Sequence, residues 1–211
     1  FYMGVMSVGG TAVTLPSTLK EPELRVLIEE SRPRLVWAAP EHLPCLESIS
    51  RSGFPEIILR EGSDPDPGTR LTEKTSDFRP IDRDRNDPCA VLFTGGTTGI
   101  PKGAMLSHEN ILTAIRNVVA NEKSMEIDCA LCFLPLHHVF GQIHILNATL
   151  LSAGCVELMP SFDMDRVLDS LRSGRITKLF AVPTVYVRLL TLPNLKDILG
   201  SVRYCFSAAA S

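Results

Sequence analysis

Leu92-Phe93-Thr94-Gly95-Gly96-Thr97-Thr98-Gly99-Ile100-Pro101-Lys102-Gly103 continues an apolar run that begins at Cys89. The run reads as a buried strand, and the glycine-threonine tract as the loop that follows it. Three glycines ahead of Lys102 let the backbone approach a bulky anion, three threonine hydroxyls can donate to phosphate oxygens, and Lys102 adds positive charge. That set suits a triphosphate. A Walker loop needs Gly immediately before the lysine and Ser or Thr immediately after it, whereas here Pro101 precedes Lys102 and Gly103 follows, which disfavours a P-loop kinase. Composition alone would equally allow a glycine-rich hairpin with no ligand.

On both sides of this loop, short runs rich in β-branched residues alternate with longer segments whose apolar residues recur every three or four positions. Before it, strands are predicted at 11–15, 34–38 and 57–60, with helices at 21–31 and 41–50. Pro22 suits the first turn of the earlier helix, and Leu24, Leu27 and Ile28 form its stripe. After it, helices are predicted at 109–122, 139–151, 164–172 and 184–190, and strands at 128–134, 155–158, 178–182 and 202–206. The expected fold class is α/β, with mostly parallel sheets and helices on both faces. Residues 61–88, rich in Gly, Pro, Asp and Arg, read as a connecting segment between a first part (1–60) and a second (89–211). The mixed charges from Asp77 to Asp87 read as solvated chain.

The 211 residues are 45% hydrophobic and 21% charged, which predicts a globular, soluble protein with one core or two small ones. A net charge of -3 offers no basic field for nucleic acid or an anionic membrane. Six cysteines, at 45, 89, 129, 132, 155 and 205, read as reduced, buried thiols of a cytoplasmic protein. Cys129 and Cys132 have the spacing of a metal knuckle, but strand residues three apart point to opposite faces, so zinc is set aside. Phe1 to Gly10 lacks the features of a leader or a membrane span and is expected to be the tail of a core helix that begins earlier.

The string from Thr94 to Gly103 resembles the phosphate loop of the adenylate-forming superfamily of acyl-CoA synthetases, luciferases and peptide-synthetase adenylation domains. Gly95 and the continuation Ala104-Met105-Leu106-Ser107-His108-Glu109-Asn110 are similar to the long-chain fatty-acid CoA ligases of that superfamily. The resemblance implies contact of Thr94, Gly95, Gly96, Thr97, Thr98, Gly99 and Lys102 with the β- and γ-phosphates of ATP, with Lys102 also catalytic and Thr94 a Mg2+ contact. Leu134-Pro135-Leu136-His137-His138-Val139-Phe140-Gly141 resembles the next family motif, in which His138 would be catalytic and begin a helix lining the acyl site. Val202 to Ser211 resembles the strand and small-residue turn beneath adenine, with Ser207, Ala208, Ala209 and Ala210 at the base. Ala208 stands where the family often has Gly, and Ser211 where it often has Pro.

The fold then implied is a partial N-terminal domain of an adenylate-forming enzyme. The reaction implied is ATP-dependent activation of a carboxylate, a fatty acid on this reading, to acyl-AMP and then to acyl-CoA on coenzyme A. The partners would be these small molecules, with peripheral membrane contact only through a fatty-acid substrate. In the family the ribose Asp, the hinge and the lid Lys lie beyond the position of Ser211, so the chain alone is expected to hold nucleotide weakly without turnover. Two alternatives stay open: a non-catalytic nucleotide-binding or structural module, and an adenylation domain for another carboxylate.

Overall fold

The computed structural model describes residues 1–50, 57–60, 78–94 and 101–209, of which 57–60 are described by their backbone. The chain divides into two compact units, Phe1–Asp82 with Phe93–Lys102, and Arg83–Leu92 with Gly103–Ser211.

In the first unit, α1 (Tyr2–Ser7) precedes β1 (Ala12–Thr14) and α2 (Glu21–Ser31). No residue of α1 is buried, so it is not the core helix expected from its apolar composition. Phe1 instead sets its ring 4.9 Å from that of Trp37. The Glu23 carboxylate accepts from the Lys20 backbone N–H at the start of α2, and Arg32 ends the helix in the left-handed region at φ 44°. β2 (Leu35–Ala38), a 3₁₀ turn (Pro40–His42), α3 (Leu43–Ser50) and β3 (Ile57–Arg60) complete a parallel β-α-β unit with Leu35 opposite Ile57. Leu24 and Ile28 from α2 meet Leu46 and Ile49 from α3, the stripes that the three- and four-residue spacing predicts.

β4 (Pro88–Thr94) and β5 (Lys102–Ser107) flank the glycine loop and are hydrogen-bonded neighbours. The connection is too short for a parallel crossover, so the pair is a hairpin. No strand is predicted over 102–107, whose sequence carries no alternation; in the structure Lys102 to Met105 are all exposed. Ser107 then caps α4 (His108–Glu122), its hydroxyl accepting from the Asn110 N–H at 3.1 Å.

The second unit is built on a four-stranded sheet, every pair parallel, in the order β7 (Cys155–Leu158), β6 (Cys129–Cys132), β8 (Lys178–Ala181), β9 (Tyr204–Ser207). Strand alternation sends Leu131, Leu179 and Ala181 to one face, where they meet α6 (Met164–Arg172), α7 (Pro183–Leu190) and α8 (Leu195–Ile198). Ala130, Cys132 and Phe180 point the other way, onto Phe140 and Ile145. Helices therefore cover both faces, and all four residues of the central β8 are buried.

The segment predicted as one helix over 139–151 is a π-helix over Phe140–Asn147 running into α5 (Ala148–Leu151). Within it Gly141 lies so close to the preceding turn that a Cβ there would stand 2.5 Å from the Pro135 carbonyl oxygen. The cysteines are free, but only Cys89 and Cys132 are buried; Cys45 and Cys129 are half-buried, and Cys155 and Cys205 are exposed. Cys155 and Cys205 lie on the two edge strands of the four-stranded sheet, β7 and β9, where a neighbouring strand covers one side only. Among the described residues no helix is long and apolar enough to cross a membrane.

Candidate nucleotide and acyl site

The loop can be followed at its two ends. Thr94 and Lys102 are both exposed, and the Thr94 hydroxyl donates to the Lys102 carbonyl at 3.4 Å across the mouth of the hairpin. Gly95, Gly96, Thr97, Thr98 and Gly99 lie outside the described residues, as does Ala210 at the other end of the predicted site. Among the described residues no carboxylate pairs with the exposed Lys102 ammonium. A hydroxyl whose proton is turned to a carbonyl keeps its lone pairs for a cation. Thr94 therefore fits a hard metal such as Mg2+.

In the second unit, β6 leads through Phe133 and Leu134 into a tight turn. The His138 N–H donates to the Pro135 carbonyl at 3.1 Å, and the Gln142 side-chain amide donates to the Leu136 carbonyl at 2.7 Å. An alanine methyl at Gly141 would stand 2.5 Å from the Pro135 oxygen and 2.8 Å from that of Leu134. The turn and the helical segment thus touch backbone to backbone, which only glycine permits.

His138 itself is exposed, and its Nδ1 accepts the Phe140 N–H at 3.3 Å. That bond satisfies one of the free N–H groups at the helix start and assigns Nε2 as the nitrogen that can donate. Such a donor can orient a carboxylate. His137 is half-buried, and burial, then the neighbouring His138, pushes its pKa below the ordinary value.

On β9, Tyr204 to Ser207 run beside Lys178 to Ala181, and the Ala208 N–H reaches the Ala181 carbonyl at 3.4 Å. Ser207 and Ala209 are exposed and Ala208 is half-buried; Ala209 sits at φ 58°, a left-handed conformation that suits glycine better. Tyr186 holds the strand end, its hydroxyl shared between the Leu179 carbonyl at 2.6 Å and the Phe206 carbonyl at 3.1 Å.

Behind this strand lies a charge network that the sequence reading missed. Lys178 Nζ is 2.9 Å from Glu122 and 3.9 Å from Asp128 and bonds the Ser124 hydroxyl, with Tyr204 at 5.3 Å beneath it. The second Glu122 oxygen meets His144 Nε2 at 2.7 Å, and His144 stacks on Phe206 with ring centroids 4.7 Å apart. Asp128 accepts from Arg203, the Thr177 hydroxyl and the Met125 N–H. A lysine opening a strand that is otherwise wholly apolar was the available signal, since a buried charge requires a partner.

Asp128 of this network and His137 of the turn set a pH dependence. Burial would raise the Asp128 carboxyl, but Arg203, the Met125 N–H and Thr177 outweigh it and hold it below its usual range. Its contribution is present above the unfolded pKa of about 3.9 and disappears as pH falls through the folded value. His137, also lowered, binds its proton more readily when unfolded, so stability declines once pH drops below about 6.5. His137→Gln is expected to flatten urea-melt midpoints between about pH 7.5 and 5 while keeping the loss below about pH 4. An unchanged slope in the upper window would remove His137 from this account.

The second unit is a parallel α/β unit that carries a histidine-headed helical segment and a strand ending in small residues. The chain belongs to the AMP-binding enzyme family, whose model matches residues 1–211. It is 33% identical over 208 residues to a mitochondrial malonate-CoA ligase of Mus musculus, covering 92% of this chain and 35% of that protein. It is 27% identical over 222 residues to 4-coumarate-CoA ligase 3 of Arabidopsis thaliana, covering 99% and 39%. The crystal structure of ATP-bound MatB from Rhodopseudomonas palustris superposes with a TM-score of 0.89 at 31% identity, covering 99% of this chain and 42% of that one. The chain spans between about a third and two fifths of the length of these relatives.

Proposed function

We propose that the chain supplies the phosphate-handling and part of the acyl-handling surface of an acid-thiol ligase. The reaction is the attack of a carboxylate oxygen on the α-phosphorus of ATP with loss of pyrophosphate, followed by transfer of the acyl group to the thiol of coenzyme A with loss of AMP. The single observation that carries this reading is the loop mouth, where Thr94 closes on the Lys102 carbonyl and leaves the Lys102 ammonium exposed.

Lys102 and the threonine hydroxyls would neutralise and align the phosphates, which is most of what such a transfer asks of a protein. Mg2+, when bound, would add charge neutralisation at the same oxygens, with Thr94 as its protein contact. His138 would orient the carboxylate through Nε2, and Ser207 to Ala210 would offer the base a flat backbone. For the chain by itself, nucleotide binding without turnover is the expected behaviour, because it corresponds to well under half of each relative.

The acid is the finer part of the proposal. Gly95 and the apolar Phe140–Asn147 segment favour a fatty acid, as the resemblance to long-chain ligases does. The relatives named for malonate and 4-coumarate favour a short diacid or an aromatic acid. Pyrophosphate exchange with malonate, 4-coumarate and a fatty acid, run side by side on this chain joined to the remaining family domain of a relative, separates the three.

Calorimetric titration of the chain with ATP and Mg2+ tests the core of the reading. Lys102→Ala is expected to weaken binding about tenfold, the loss of one charge-assisted hydrogen bond. If both proteins bind equally, or neither binds, the phosphate-loop assignment fails and the non-catalytic module becomes the better reading.

A further inference from the structure

Cys129 and Cys155 stand directly opposite each other on β6 and β7. Neighbouring strands run about 4.7–4.9 Å apart, and opposed residues of a parallel pair send their side chains to the same face. Disulfides bridge Cα atoms about 4.4–6.8 Å apart, so this position already has the required spacing. The register is pinned by the Cys155 N–H donating to the Asp128 carbonyl at 2.8 Å and the Met159 N–H donating to the Cys132 carbonyl at 2.9 Å. Cys155 is exposed on the edge strand of the sheet, whereas Cys129 is half-buried against the α6 side.

We propose that Cys155 and Cys129 form a reactive dithiol that closes to a disulfide when a low-molecular-weight disulfide reaches the sheet edge. The two thiols differ in a way that divides the roles. Burial, then the adjacent Cys155 thiol and the Glu157 carboxylate, push Cys129 up to about 11, against the opposing pull of Arg175. Cys155, open to solvent, is the attacking group: its thiolate displaces one thiol from the small disulfide and forms a mixed disulfide. Cys129 then attacks the Cys155 sulfur, releasing the second small thiol and leaving its own proton to solvent. In sum one small disulfide is reduced to two thiols and the protein dithiol is oxidised to one disulfide. A high pKa slows the second step by limiting thiolate, but enforced proximity offsets it and the thiolate that forms is the stronger nucleophile.

This inference is independent of the ligase reading. It is tested by treating the full chain with oxidised glutathione near about pH 8, quenching by acid, and mapping peptides by mass spectrometry. The wild type is expected to yield a linked peptide pair holding Cys129 and Cys155. Cys129→Ser is expected to retain glutathione on Cys155, lost at least about tenfold more slowly than from the wild type. The linked-peptide result needs no variant, so a poorly folding Cys129→Ser leaves the test intact. Stable glutathione on Cys155 of the wild type would overturn the proposal. So would an unmodified Cys155 when the exposed Cys205 reacts, or cross-links spread among the other cysteines.

Discussion

Lys178→Met is expected to destabilise the protein by about 3–5 kcal/mol, the usual cost of removing one member of a buried ion pair. Lys178 is only 2% exposed and Glu122 5%, so neither can turn to water. Deleting the ammonium leaves Glu122 buried with His144 as its remaining partner, while Asp128 keeps Arg203. At about 2–4 °C per kcal/mol for a chain of this size, the thermal midpoint should fall by roughly 6–20 °C. The double variant Glu122→Gln with Lys178→Met is expected to recover a good part of the loss, because no uncompensated charge then remains. A midpoint within a degree or two of wild type for the single variant would mean that water reaches the network and that its members are not effectively buried.

Gly141→Ala is expected to cost about 3 kcal/mol, at the upper end for overpacking, because the new methyl would meet the Pro135 and Leu134 carbonyl oxygens rather than a yielding side chain. The strain falls on the turn that carries His138. Circular dichroism melts give the stability loss, and a shift of the His138 ring resonances in NMR gives the displacement. Gly4→Ala is the control: its methyl would meet nothing within 4 Å, and inside α1 it should be neutral or stabilising by under about 1 kcal/mol. Equal melting of the Gly141 variant and wild type would show that the turn relaxes freely and that glycine is not required there.

The two expected results share a cause. Residues 122 and 178, or 135 and 141, are brought together by a strand crossover or a tight turn, and the cost of changing one is set by the atoms of the other. Those contacts also give the candidate site its form: Lys178, Glu122 and His144 reach through Phe206 to the strand end at Ser207, and Gly141 fixes the turn on which His138 stands.

The sequence alone determined the alternation of strands and helices, because amphipathic spacing is a local property. Glu21–Ser31, Ile57–Arg60, Cys155–Leu158 and Met164–Arg172 all have the predicted bounds. It also determined the family, since the run from Thr94 to Gly103 needs no partner elsewhere in the chain to be recognised. What it left open was whatever depends on a second segment. β5 is exposed and owes its strand form to pairing with β4, so it carried no alternation to read. The close approach of Gly141 to the Pro135 and Leu134 carbonyls depends on how the preceding turn folds back, and the opposition of Cys129 to Cys155 depends on strand register. The ion pair between Glu122 and Lys178 spans 56 positions along the chain, and only the tertiary fold, by excluding water from both, makes it matter.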